Sequence, residues 1–130
     1  MLRQALAGVL AALTAACATP PMPREISEAA DGARVTLARS QELIVTLDGN
    51  QATGFRWNLT RAADPVLAPI GEATYAPRAT EGRLAGSGGI TTFRFRAAAA
   101  GAASLAFAYR RPWEVNIPPV KTVRFDIKVE

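Results

Sequence analysis

The feature that most constrains the fold is a strict alternation of apolar and polar side chains, which is most regular near the end of the chain. Between Val120 and Val129, every second residue from position 123 onward is apolar, and the residues between them are charged. A period of two places successive side chains on opposite faces of a strand, whereas a helix requires a period near 3.6. This segment is therefore predicted to be a strand with one face in a core.

The same alternation predicts the rest of the fold, with six further strands at residues 35–39, 43–48, 55–59, 69–75, 90–96 and 104–109. We expect Leu43, Val45 and Leu47 to share an inward face, and Trp57 to fill the space between two sheets. The Ala-rich segment 97–101 ends in glycine and is too short for a stable helix, so we predict a turn there. About seven short strands without a helix predict an all-β fold, an immunoglobulin-like antiparallel β-sandwich.

The first 17 residues have the pattern of an export signal. Arg3 precedes an uncharged run, Gln4 to Ala16, that is too short to span a bilayer permanently. The run ends at Cys17, the only cysteine, and the small residues before it resemble a bacterial lipobox, in which the cysteine is acylated. The alternative is ordinary cleavage after Ala18. We predict an exported protein of the periplasm or cell envelope, anchored to a membrane by lipid on Cys17.

Two further segments complete the predicted organisation. Residues 18–32 include prolines 20, 21 and 23 and are predicted to be a tether, because closely spaced prolines favour an extended chain. Residues 33–130 are predicted to form one domain, which is large enough for a hydrophobic core that is stable without disulfides or other cross-links. With a single cysteine, no disulfide can form within the chain.

Composition excludes several kinds of site. The chain has no histidine, so it lacks the base of Ser-His and Cys-His catalytic pairs and the commonest metal ligand. Its 11 acidic residues show no paired spacing suited to acid–base catalysis or calcium binding. The net charge is +4, but acids are interspersed with the 15 Lys and Arg residues, and no aromatic RNA-binding signature is present. We expect no enzyme activity, cofactor, metal or nucleic-acid partner.

Three segments with turn chemistry interrupt the predicted strands: Asn50-Gln51-Ala52-Thr53-Gly54-Phe55, Gly86-Ser87-Gly88-Gly89 and Arg111-Pro112-Trp113. Each has an ordinary interpretation on its own, since Asn and Gly let a chain reverse direction sharply. An alternative position for the Trp113 ring is against the core. We predict instead that the three loops meet at one end of the sandwich and form a protein-binding edge.

The ordered set of three loops resembles the chagasin family of cysteine protease inhibitors. The family pattern is N-P-T-T-G-[YF]-x-W, then G-x-G-G, then R-P-W or R-P-F, and the match covers roughly residues 33 to 130. The resemblance implies an immunoglobulin-like fold and reversible inhibition of papain-like cysteine proteases. The first loop would block the catalytic Cys–His centre, and the residues of all three loops would bind the protease.

Two residues of the first loop depart from the family pattern. Gln51 replaces a proline and Ala52 replaces a threonine. Proline would fix φ and stiffen the loop before binding, so we expect its absence to reduce preorganisation and affinity.

A second function remains open from the sequence. The chain could be a structural or adhesion-type immunoglobulin-like module of the bacterial cell envelope, binding another envelope protein through the same loops or through a basic sheet face. Arginines 94, 96, 110, 111 and 124 are the residues considered for that face, although a solvated outer face is the simpler interpretation. For either function we expect a monomer.

Overall fold

The computed structural model describes residues 21–78 and 88–130, and these ranges are nearly all β-structure. The strands are β1 (Arg24–Ser27), β2 (Arg34–Leu37), β3 (Glu42–Gly49), β4 (Arg56–Ala62), β5 (Leu67–Pro69), β6 (Thr74–Pro77), β7 (Gly89–Ala97), β8 (Gly101–Arg110) and β9 (Lys121–Val129). Two short 3₁₀ helices in these ranges cover Glu28–Ala30 and Gln51–Thr53. None of the helices in the described part of the chain is long and apolar enough to cross a membrane. The predicted signal peptide and Cys17 lie outside the described residues, as do Gly86 and Ser87.

The strands form two sheets that pack face to face. One sheet has the order β1–β3–β7–β5, with β6 also paired to β7, and the other has the order β2–β9–β8–β4. The predicted all-β sandwich is confirmed, with two corrections. The described ranges contain nine strands rather than about seven. Moreover, β1 runs parallel to β3 and β2 runs parallel to β9, so the sheets are not purely antiparallel.

The additional strands lie in segments that contain proline or are too short to show a clear alternation of apolar and polar residues. β1 falls within the segment predicted to be a tether, yet Ile26 is buried in the core, so the compact fold begins before residue 33. The strand predicted at residues 69–75 is divided between β5 and β6, which pair with different parts of β7. Gly71, with a φ of +65°, lies between these two strands. Pro69 is the last residue of β5, which is an edge strand, and an edge strand tolerates the missing N–H group of proline.

The core between the sheets follows the predicted alternation. Leu43, Val45 and Leu47 are completely buried, as expected from their shared face. The ring centroid of Phe107 lies 6.4 Å from that of Phe95 and 6.5 Å from that of Phe125, so residues from both sheets meet at the centre. The predicted turn is also present, because β7 ends at Ala97 and β8 begins at Gly101.

The five arginines considered for a basic sheet face do not share one face. Arg94 and Arg96 lie on β7 of one sheet, whereas Arg124 lies on β9 of the other. Acids also accompany them: Arg94 pairs with Glu42 at 2.9 Å, and Arg124 lies 3.6 Å from a carboxylate oxygen of Asp126. The described structure therefore contains no sheet face on which these charges gather.

Candidate functional site

The described residues of the three predicted loops lie at the same end of the sandwich. The first loop joins β3 to β4, the second precedes and begins β7, and the third joins β8 to β9. Strand register places the strand residues that flank these loops side by side, because Gly49 pairs with Gly89 and Arg56 pairs with Arg110. We call the described residues of this surface, 50–55, 88–89 and 111–113, the loop edge.

The first loop is a single 3₁₀ turn that its own side chains brace. The Asn50 side chain accepts a hydrogen bond from the Ala52 N–H at 3.0 Å, and Thr53 Oγ1 donates to the Asn50 carbonyl at 2.7 Å. Gly54 ends the turn with a φ of +85°, which few residues other than glycine adopt. Ala52 and Thr53 are exposed at the tip of the turn. The loop therefore has internal order although Gln51 stands where the family has proline.

The third loop contacts the first through Trp113. A Cβ atom placed on Gly54 would lie only 2.3 Å from Cη2 of the indole, so the ring lies directly over this glycine. Trp113 nevertheless keeps 65% of its surface exposed. The alternative in which this ring packs into the core is therefore wrong for this structure. The indole is presented at the surface, next to the backbone of the first loop.

Arg111 forms a second link between the same two loops. Its Nε donates to the Thr53 carbonyl at 3.0 Å, across 58 positions of sequence. Its guanidinium lies 4.4 Å from the Phe55 ring centroid and 6.0 Å from that of Trp113, within the range of cation–π attraction. Arg111 was predicted to contact a protease. In the isolated protein it holds the first and third loops together.

An aromatic stack beneath the first loop ties it to β8. The Tyr109 ring lies 5.1 Å from Phe55 at an interplanar angle of 23°, and 5.0 Å from Trp57. The Asn50 N–H donates to the Tyr109 hydroxyl at 2.8 Å. Trp57 is buried, as predicted, and its Nε1 donates to the Asp48 carbonyl at 2.9 Å. The alternation of residues 104–109 predicts only a strand position for Tyr109, and its place directly before Arg110 and Arg111 is the one sequence signal for a role at the site.

The two described glycines of the second loop lie against β3 and β6. Gly88 has a φ of +87°, and a Cβ atom there would lie 3.2 Å from the Gly49 carbonyl oxygen. Gly89 is buried, and a Cβ atom there would lie 2.5 Å from Cζ of Tyr75. The missing Cβ of Gly89 thus makes room for the Ala76 carbonyl and the Tyr75 ring of β6, and its predicted contact with a protease stays a prediction. Pro112, by contrast, is exposed beside Trp113.

The loop edge offers contact surface and no catalytic group. The described residues contain no cluster of three or more His, Cys, Asp or Glu side chains that could hold a metal ion. What the edge presents is the backbone of a tight turn, an indole and a guanidinium. An immunoglobulin-like sandwich with such an edge belongs to the class of protein-binding modules.

Comparison with known proteins identifies the family within this class. Residues 36–129 match the model described as chagasin family peptidase inhibitor I42. Over 95 residues the chain is 30% identical to chagasin of Trypanosoma cruzi, covering 71% of this chain and 84% of that protein. The chain belongs to the chagasin family of peptidase inhibitors. Its members are inhibitors and not enzymes, in agreement with the prediction from the residues, and the envelope-module alternative is not favoured.

Solved structures share the fold at lower sequence identity. The cysteine protease inhibitor EhICP2 of Entamoeba histolytica superposes with a TM-score of 0.76 at 18% identity, over 86% of this chain and all of that one. PbICP-C, solved in complex with falcipain-2, gives a TM-score of 0.55 at 16% identity, over 85% of this chain and 91% of that one. At such identities the likeness establishes a common fold.

Proposed function

We propose that this protein is a reversible inhibitor of papain-family cysteine proteases and that it occludes the catalytic cleft with the loop edge. The observation that carries the proposal is the direct contact between the loops, in which Arg111 binds the Thr53 carbonyl and Trp113 covers Gly54. Family membership and the complex of PbICP-C with falcipain-2 support the same function.

The mechanism follows from what the loop edge presents. The first loop is narrow at Ala52 and Thr53, so its backbone can enter a cleft that a bulkier turn could not. The loop edge has no thiol that could form a disulfide with the catalytic cysteine, and we assign inhibition to steric occlusion without a covalent bond. Contacts from Arg111, Asn50 and Tyr109 order the first loop before binding, which reduces the entropy lost on association.

Trp113 is the residue we assign as the main anchor. A large aromatic side chain that is mostly exposed in the free protein and fixed against a glycine can bury a large area on binding. Truncation of such an anchor commonly costs at least ~2 kcal/mol, about thirtyfold in affinity. We therefore expect Trp113→Ala to weaken inhibition by this factor and to leave the fold intact.

The test is titration of residues 19–130, which contain every described strand, against papain and a cathepsin-L-like protease. We expect inhibition with a submicromolar Ki, and recovery of protease activity on dilution because no covalent bond forms. Thermal unfolding of the same preparation establishes that the domain is folded. A folded domain that leaves both proteases fully active at micromolar concentration would overturn the proposal.

We also propose that the protein is exported and held at a membrane of the cell envelope by lipid on Cys17. The support is the sequence pattern of residues 1–17, with a charged start, an uncharged run and small residues before the cysteine. Metabolic labelling with a fatty acid tests this directly. The wild-type chain should carry the label and Cys17→Ser should not, whereas a mature N-terminus after Ala18 would contradict it.

A further inference from the structure

Exposed apolar side chains are concentrated in one segment that the three motifs do not explain. In the described ranges the exposed large apolar residues are Met22, Trp113, Val115, Ile117 and Val120. All but Met22 lie within residues 113–120, and of these only Trp113 belongs to a motif. Single exposed apolar residues are ordinary on a protein surface, but a contiguous group marks a site of interaction. We call Val115, Ile117, Pro118 and Val120 the apolar tail of the third loop.

Backbone hydrogen bonds hold the apolar tail in position. The Glu114 N–H donates to the Arg111 carbonyl at 3.1 Å, and the Val120 N–H donates to the Tyr109 carbonyl at 3.0 Å. The Arg110 guanidinium also donates to the Glu114 carbonyl. Pro118 and Pro119 restrict φ at two successive positions. The side chains are therefore presented by an ordered backbone, and burying them on a partner costs little additional conformational entropy.

A small cavity joins the apolar tail to the loop edge. Its volume is about 110 Å³, and its walls are Phe55 and Arg111 of the loop edge, Ile117, Pro118 and Val120 of the tail, and the neighbouring Arg110 and Glu114. A cavity of about 150 Å³ can hold a benzene molecule, so this one fits a single aliphatic side chain. Because Phe55 and Arg111 of the loop edge line the same cavity as the tail, the tail is continuous with the loop edge.

We propose that the apolar tail is a second contact surface for the inhibited protease, packing against apolar side chains on the wall that flanks the catalytic cleft, one of which enters the cavity. The inference rests on the proposed function. A stable protein–protein interface covers on the order of 800 Å² on each partner, far more than one indole and one turn provide. A protease seated on Trp113 and Thr53 must therefore cover neighbouring surface, and the tail is the apolar surface next to them.

The test measures the Ki of the double variant Val115→Ser/Ile117→Ser and of the single variant Met22→Ser. The protease is the papain-family enzyme that the wild type inhibits most strongly. Met22 is the matched control, because it is also an exposed apolar residue but lies outside the segment. We expect the Ki of the double variant to rise at least about tenfold, mainly through faster dissociation. The Ki of Met22→Ser should stay within about twofold of the wild type, and thermal unfolding should show both variants folded.

A conservative replacement identifies the chemistry of the contact. Ile117→Met keeps an apolar side chain of similar volume, so its Ki should stay within about threefold of the wild type, whereas Ile117→Ser should weaken inhibition. If the wild type inhibits and the double variant inhibits equally well, this inference is wrong and the proposed function stands. If the wild type inhibits no protease of the panel, the proposed function itself fails.

Two other occupants of the apolar tail are outcomes of the same experiment. Sedimentation equilibrium that finds a wild-type dimer and a monomeric double variant would assign the tail to self-association. Flotation of residues 19–130 with phosphatidylglycerol vesicles, lost in the double variant, would assign it to a lipid surface. Either result, together with an unchanged Ki for the double variant, overturns the assignment to the protease.

Discussion

The body of the sandwich and the loop edge are held together by different kinds of interaction. In the body, apolar side chains from two sheets bury one another, and Leu43, Val45 and Phe107 have no exposed surface at all. At the loop edge, order comes from a few specific contacts, such as Arg111 to the Thr53 carbonyl and Trp113 over Gly54. The body depends on a pattern that many residues satisfy, whereas the edge depends on particular residues at particular positions.

This difference explains how the fold persists at low sequence identity. EhICP2 shares 18% of its residues with this chain and superposes with a TM-score of 0.76. Apolar residues of suitable volume substitute for one another in a core with modest loss. Substitutions in the body should therefore act on folding, and substitutions at the edge should act on inhibition. Four experiments examine this separation, in order of decreasing effect.

Phe107→Ala should produce the largest change, and it should act on stability. The ring is fully buried between Phe95 and Phe125, so truncation leaves a cavity and should lower the free energy of unfolding by about 3–5 kcal/mol. Urea denaturation followed by tryptophan fluorescence measures it. Val115→Ala is the exposed control and should leave the midpoint unchanged. A loss below about 1 kcal/mol for Phe107→Ala would mean that the body is held by something other than this core.

Gly54→Ala should produce the largest change in inhibition. The new Cβ atom would lie 2.3 Å from the Trp113 ring, so the indole must move and the Ki should rise about thirtyfold or more. Gly32→Ala is the matched control, because Gly32 has a similar φ of +82° and nothing within 4 Å of a Cβ atom. Both variants should lose some stability from the strained φ, but only Gly54→Ala should weaken inhibition. Equal Ki values for the two variants would refute the role of this contact.

Arg111→Lys should have a smaller effect on inhibition. Lysine keeps the charge but loses the Nε bond to Thr53 and the guanidinium contact with the Phe55 ring, together worth about 1.5 kcal/mol, so the Ki should rise about tenfold. Arg94→Lys is the control, since Arg94 is exposed on β7 and pairs with Glu42. If Arg111→Lys inhibits as strongly as the wild type, charge alone is what Arg111 supplies to the complex.

Restoring the family residues with Gln51→Pro/Ala52→Thr should have the smallest effect. Gln51 is the first residue of the 3₁₀ turn, a position that suits proline, and a fixed φ there should tighten inhibition by about two- to fivefold. The gain is small because Asn50 and Thr53 already brace the loop. Inhibition assays against papain measure it. Weaker inhibition by the restored variant would contradict this account of preorganisation.

The sequence was informative wherever alternation was long and clear. The period of two predicts β3, β7, β8, β9 and the buried position of Trp57, and the short Ala-rich segment predicts the turn after Ala97. The same pattern did not reveal β1 or most of β5, because each strand buries only one residue and is stabilised by pairing with β3 or β7. Single-chain patterns contain no information on which strand will accept such a partner.

The site was predicted as a set of loops, but its internal contacts were not. The bond from Arg111 to Thr53 and the hydroxyl contact of Tyr109 with Asn50 join residues far apart in sequence, and only the packed sheets bring them together. Gly89 shows the reverse case. It was assigned to the binding motif, yet its missing Cβ accommodates Tyr75, which sequence spacing alone cannot reveal.

The parallel pairing of β1 with β3 has a consequence for how the inhibitor is displayed. β3 runs toward the loops and ends at Gly49, so β1 runs in the same direction and Arg24 lies at the opposite end of the body. If Cys17 carries lipid, the six residues 18–23 allow at most about 20 Å between the membrane and the start of β1. The proposed anchor would then attach at the end of the body opposite the loop edge, which leaves the loop edge unobstructed by the attachment and accessible to a protease.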